Sequence, residues 1–104
     1  MPEIAIRYFG PLREITRKRT ERVKTESSST LLDLLLEVDK LHGKRFHDFV
    51  FEQGRKIRGG IMFAVDGDSI SVSELQSKKC ASVREFVILP PISGGASLNS
   101  SSKV

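Results

Sequence analysis

The residues best placed to do chemistry in this chain sit together near its C-terminal end. An apolar run, Phe86-Val87-Ile88-Leu89, leads into Pro90-Pro91-Ile92-Ser93-Gly94-Gly95. Proline gives no N–H to a strand ladder and holds the residue before it extended, so Pro90-Pro91 ends the strand and projects the next residues away from the sheet. From Pro90 to Gly95 the arm is six residues long, a reach of roughly 20 Å when extended. Such an arm is either a solvated end or a segment presented to a partner.

Other reactive residues are fewer and plainer. Cys80 is the only cysteine, which excludes an internal disulfide and fits a reducing cytosol. Its neighbours Lys78 and Lys79 would lower the thiol pKa and permit a persulfide or thioester role; an incidental thiol is the plainer reading. His42 and His47 are five apart with no third ligand in view, so no zinc site is expected. Arg58-Gly59-Gly60 is internal, precedes an apolar strand and reads as a turn. Basic clusters at Arg17-Lys18-Arg19, Lys44-Arg45, Arg55-Lys56 and Lys78-Lys79 resemble phosphate contacts. They fall in turns among acidic residues with no aromatic side chain to stack a base, so solvation or an acidic protein partner is expected rather than nucleic acid.

The elements that must hold the arm come from a chain of 104 residues, enough for one domain with a modest core. Its 38% hydrophobic and 29% charged content and net charge of +4 are those of an ordinary, mildly basic globular protein. No apolar run is long enough to span a membrane, and the N-terminus lacks the charged, apolar and small-residue regions of a signal peptide, so a cytoplasmic protein is expected. Ile4, Ile6 and Tyr8 alternate with Ala5, Arg7 and Phe9, the period of a first strand. Gly10-Pro11 breaks it, and Leu12 to Ile15 is expected to be a loop with two apolar anchors. The charged segment Arg19 to Thr25 suits an edge strand. Thr30 and Asp33 form a capping pair for a helix that buries Leu31, Leu34, Leu35, Val38 and Leu41 and ends at Gly43. A short second helix is expected over Arg45 to Glu52. Ile61 to Val65 reads as a strand entering the Asp66-Gly67 hairpin turn, with a return strand over Ser69 to Val72. Beyond it, Ser73 to Ser82 carries one core residue, Leu75. The continuous apolar run Phe86 to Leu89 predicts a central strand lying parallel to the first. The fold class is α+β, a mixed four- to five-stranded sheet with one main crossing helix and a short second one.

Tyr8-Phe9-Gly10-Pro11-Leu12-Arg13-Glu14-Ile15, the leucine-rich helix, Val65-Asp66-Gly67 and above all Leu89-Pro90-Pro91-Ile92-Ser93-Gly94-Gly95 resemble the MoaD/ThiS family of ubiquitin-like sulfur carriers with a β-grasp fold. The resemblance runs from residue 3 to residue 95 and is greatest to the small subunit of molybdopterin synthase, in its longer archaeal-type forms. It implies that the chain is not an enzyme. A ubiquitin-activating-type enzyme would use ATP to adenylate the Gly95 carboxylate, which then becomes a thiocarboxylate and donates sulfur in molybdenum cofactor synthesis. The carrier binds no cofactor tightly. Gly94 and Gly95 suit that role physically: without a Cβ they thread a narrow channel and reach backbone angles closed to other residues. The prolines reduce the freedom lost on docking. The resemblance also implies an interface at Phe9, Leu89, Pro90, Pro91 and Ile92, meeting the activating enzyme and the synthase large subunit. A Phe9 that merely packs against the Leu12 segment is the structural alternative.

Three departures accompany the resemblance. Ser82-Val83-Arg84 stands where the family has Asp-Gly-Asp before its last strand, and Asp66-Gly67 stands where it has Asn-Gly. The third is the segment Ala96 to Val104, nine residues that leave Gly95 amide-bonded and without a carboxylate. Its four serines and lack of core-forming residues predict a disordered tail after a domain of residues 1–95. It is a pro-extension removed by a processing protease, a cloning scar, or the mark of a member that serves only as a binding module. Removal is the expectation, with a mature form ending at Gly95. Gly95 would also serve a small archaeal protein modifier, joined to target lysines.

Overall fold

The alternation in the first strand sets the two faces of the sheet. In a computed structural model, which describes residues 2–53 and 56–91, β1 (Glu3–Tyr8) buries Ile4, Ile6 and Tyr8 and turns Ala5 and Arg7 outward. The elements after it are α1 (Pro11–Thr16), β2 (Thr20–Lys24), α2 (Leu31–His42), α3 (Lys44–Val50), β3 (Phe51–Glu52), β4 (Lys56–Ile57), β5 (Met62–Val65), β6 (Asp68–Ile70), a 3-10 turn (Val72–Gln76) and β7 (Glu85–Leu89). The main sheet has five strands in the order β2-β1-β7-β5-β6. β1 and β7 pair in parallel at its centre, with Ile6 opposite Phe86 and Tyr8 opposite Ile88. The other pairs are antiparallel. β3 and β4 form a separate two-stranded ribbon.

One layer of helix covers one face of this sheet. α2 contributes Leu31, Leu34, Leu35 and Val38 to a core shared with Ile4, Ile6, Phe63, Phe86 and Ile88. It starts at a capping box: the Thr30 hydroxyl accepts from the Asp33 N–H at 3.1 Å, and the Asp33 carboxylate accepts from the Thr30 N–H at 3.0 Å. The expected mixed sheet, crossing helix and second helix are all present. No helix among the described residues is long and apolar enough to cross a membrane.

Four details differ from the sequence reading. The segment after Gly10-Pro11 is a helix, α1, rather than a loop: Pro11 fits the first helical turn, where its missing N–H costs nothing. Leu41 is 61% exposed instead of buried. At 100° per residue it lies about 80° away from Leu31 around the helix, whereas His42 lies only about 20° away and takes the inward position. The second helix stops at Val50, because Phe51 turns extended into β3. The return strand β6 stops at Ile70 and a 3-10 turn begins at Val72, instead of a strand running from Ser69 to Val72, and on β5 Met62 is 44% exposed while Phe63 and Val65 are buried.

The turn before β7 is also accounted for. Asp66 and Gly67 both have positive φ, as a tight hairpin turn requires. The Asp66 carboxylate reaches across to accept the backbone N–H groups of Arg84 and Glu85 at 3.1 and 2.8 Å. That side chain tethers the start of β7, which Ser82-Val83-Arg84 does not do with a carboxylate of its own.

Candidate functional site

β7 leaves the sheet between β1 and β5, so its exit is walled by both neighbours. Leu89 is half-buried opposite Met62 of β5. Tyr8 pairs with Ile88, and one step further along this parallel register Phe9 comes level with Leu89. Pro90 is half-buried with its ring against Gly10, and Pro91 is exposed with its ring against Gly60. The structure therefore brings Phe9, Leu89, Pro90 and Pro91 together at one end of the sheet. Ile92, Gly94 and Gly95, and with them the expected disordered tail, lie outside the described residues.

The same end carries an apolar strip on the sheet face opposite α2. Val87 of β7 lies between Arg7 of β1 and Ala64 of β5, and Leu89 lies beside Met62. The rim at Phe9 is basic: the Arg7 and Arg13 guanidinium carbons sit 5.4 and 4.9 Å from its ring centroid. Arg13 is fixed there by donating from Nε to the Tyr8 carbonyl at 3.0 Å, and Arg7 pairs with Glu85 at 3.5 Å. Phe9 thus has two cations close to its ring, while Leu12, three residues on, is buried in the core. The sequence reading missed Met62, Ala64 and Val87 as members of this strip and Arg13 as a neighbour of Phe9. The continuous apolar runs of β5 and β7 hid which residues face outward, and only the strand register shows it.

The remaining reactive groups are engaged structurally. Cys80 is fully buried, with its Sγ 3.5 Å from the Thr30 carbonyl. Burial, helped by the Glu37 and Asp33 carboxylates, pushes its thiol up to about 11, the reverse of the lowering expected from Lys78 and Lys79. A buried thiol held protonated is no nucleophile at neutral pH. His42 Nε2 lies 2.6 Å from a Glu21 carboxylate oxygen, and His47 Nδ1 pairs with Asp39 at 3.1 Å. No group of three His, Cys, Asp or Glu side chains among the described residues is arranged to hold a metal. Arg58-Gly59-Gly60 forms the expected turn, closed by the Ile61 N–H donating to the Arg58 carbonyl at 3.3 Å.

A sequence model described as the ThiS family matches residues 6–95, from the first strand to the second glycine of the arm. The chain belongs to the ThiS family. Among curated proteins no match was found. Solved structures share the fold. SAMP1 from Haloferax volcanii is 24% identical with a TM-score of 0.75, over 90% of this chain and 100% of that one. The small archaeal modifier protein 1 of Methanosarcina acetivorans is 26% identical with a TM-score of 0.71, over 91% and 98%. A candidate molybdopterin converting factor, subunit 1, from Pyrococcus furiosus is 20% identical with a TM-score of 0.66, over 88% and 100%. This ThiS-family chain therefore has the β-grasp fold.

Proposed function

We propose that the chain is a ubiquitin-like sulfur carrier whose working group is the Gly95 carboxylate. The observation that carries this reading is the family match, which runs through the arm and stops at Gly95. In the proposed cycle a processing protease first hydrolyses the Gly95–Ala96 bond. An adenylating enzyme then joins the carboxylate to the AMP moiety of ATP, releasing pyrophosphate. Hydrosulfide delivered by the partner attacks the acyl adenylate, AMP departs, and loss of the thioacid proton leaves the thiocarboxylate. This chain contributes no acid, base or metal to those steps. Its part is to dock through the strip around Phe9, Leu89 and Met62 and to project the arm behind Pro90-Pro91, all in the cytoplasm.

The downstream partner in this reading is the large subunit of molybdopterin synthase, which takes the sulfur for molybdenum cofactor synthesis. A second reading is favoured by the likeness to archaeal modifiers: Gly95 is transferred to lysines of other proteins, forming an isopeptide bond with release of the activating group. Both need the same activation.

Intact-mass measurement on protein from the native source, followed by affinity capture, tests them. A chain ending at Gly95, with one carboxyl oxygen exchanged for sulfur, and a stable complex with a large synthase subunit are expected for the carrier. A ladder of lysine conjugates that vanishes when Gly94-Gly95 is deleted would instead establish the modifier. Finding only the full 104-residue species would sink both readings and leave a non-catalytic β-grasp binding module.

A further inference from the structure

Two glycines at the strand exit are held to glycine by the di-proline as well as by their own backbone. Gly10 joins β1 to α1 with φ 59 and ψ −138. A Cβ there would lie 2.9 Å from the Pro90 Cγ and 3.7 Å from its Cβ. Gly60, in the turn before β5, has φ 92, and a Cβ there would lie 3.0 Å from the Pro91 Cβ and 3.5 Å from its Cγ. Non-bonded carbons sit best at about 3.5–4.0 Å. A pyrrolidine ring is tied to the backbone at both ends and cannot swing aside, so relief requires the chain itself to move. Because β7 runs between β1 and β5, these contacts come from opposite sides of the exit.

The molecule contains its own controls. Gly43 precedes α3 as Gly10 precedes α1, and has a similar backbone, φ 80 and ψ −157, yet a Cβ there would meet nothing within 4 Å. Gly67 has the same φ of 92 as Gly60, and a Cβ there also meets nothing within 4 Å. Backbone conformation alone asks for glycine at all four positions. Only Gly10 and Gly60 must also leave room for a proline.

We infer that Gly10 and Gly60 are positioning residues for the arm: their missing Cβ atoms form two notches that seat Pro90 and Pro91 and fix the direction in which the chain leaves Leu89. The seating stands on the geometry above; its consequence for activation of Gly95 rests on the proposed function.

The test compares Gly10→Ala and Gly60→Ala with Gly43→Ala and Gly67→Ala, in the full chain and in a chain ending at Gly95. All four substitutions strain a left-handed backbone, so all four are expected to lower stability. By NMR, the amide signals of Ile92 to Gly95 should shift in the first pair and stay in place in the second. With the adenylating enzyme of the native source, ATP–pyrophosphate exchange should show KM raised at least tenfold in the first pair, and within twofold of the parent in the second, with kcat retained. Pro90→Ala removes the clashing Cγ, so adding Gly10→Ala to a Pro90→Ala chain should move the arm signals far less, relative to Pro90→Ala alone, than adding it to the parent does. This double variant also decides the matter if Gly10→Ala alone fails to fold. Arm signals and KM values in the first pair that match those of the control pair would overturn the inference. A parent chain ending at Gly95 that supports no exchange would remove the proposed function, while the NMR comparison would still decide the seating.

Discussion

Tyr8, Glu21 and His42 join β1, β2 and the end of α2 through three polar side chains at the margin of the core. The Tyr8 hydroxyl donates to Glu21 Oε1 at 2.7 Å, and the same oxygen lies 2.6 Å from His42 Nε2. Burial pushes the Glu21 carboxyl up, but hydrogen bonds from His42 and Tyr8, with the charges of His42 and Lys18, outweigh it and leave it below the usual glutamate range. Burial, then the hydrogen bond to Glu21 and its charge, holds the Tyr8 hydroxyl far above the usual tyrosine range. The signs come from linkage. A carboxylate with a depressed pKa contributes stability above the unfolded value, about 4.3, which is lost as pH falls through the folded one. A raised tyrosine contributes stability below its unfolded value, about 10, which is lost as pH rises towards the folded one. Glu21→Gln is therefore expected to cost about 1–3 kcal/mol at neutral pH and to flatten the acid limb of stability. Tyr8→Phe is expected to cost about 1 kcal/mol and to flatten the alkaline limb. Urea midpoints measured across pH check both, and parallel pH profiles for parent and variants would contradict them.

At the scale of elements, α2 holds the sheet together and its start is set by a short local signal. Thr30 and Asp33 satisfy two N–H groups that the first turn would otherwise leave without partners. Thr30→Ala is expected to cost about 1 kcal/mol and to lower the Tm by about 4–8 °C. Thermal unfolding of the variant checks this, and an unchanged Tm would show that the cap adds nothing beyond tertiary packing. This capping box was legible in the sequence because all its parts lie within four residues. The first strand was legible through its period of two, and the central parallel pair through the unbroken apolar run of β7. α1 was not, since six residues give too little length for a period to show. Its signals were instead Pro11 at the first turn and the Thr16 hydroxyl donating back to the Leu12 carbonyl at 2.8 Å. Ser71 and Glu74 repeat the capping box on the 3-10 turn that buries Leu75, although the sequence pattern places Ser71 in the return strand and only Leu75 stands out beyond it. The notches at Gly10 and Gly60 were beyond sequence reasoning, because each depends on a proline that is distant along the chain.

At the scale of the whole molecule, helices cover one face of the sheet and leave the other with an apolar strip and a cationic rim. A monomer that buries Phe63 and Phe86 in stacked contact with ring centroids 5.6 Å apart has no internal need for exposed Met62 opposite Leu89. Exposed Met62 with half-buried Leu89 and Phe9, grouped where β7 leaves the sheet, fits a surface that is covered during function. The arginines flanking Phe9 favour an acidic rim on whatever covers it, which would steer association and make it salt-dependent. Met62→Glu places a charge on the strip without emptying the core, so stability should change by less than about 1 kcal/mol. Association with the adenylating enzyme of the proposed function should weaken at least tenfold, since a buried unpaired carboxylate in an apolar interface is strongly disfavoured. Arg13→Ala should instead slow association and reduce its dependence on salt, with a smaller effect on dissociation. Binding kinetics at two salt concentrations, run with thermal unfolding of each variant, separate the effects. Undiminished association of a folded Met62→Glu chain would show that the partner docks elsewhere, and that the strip is only the exposed side of a sheet whose other side is the core.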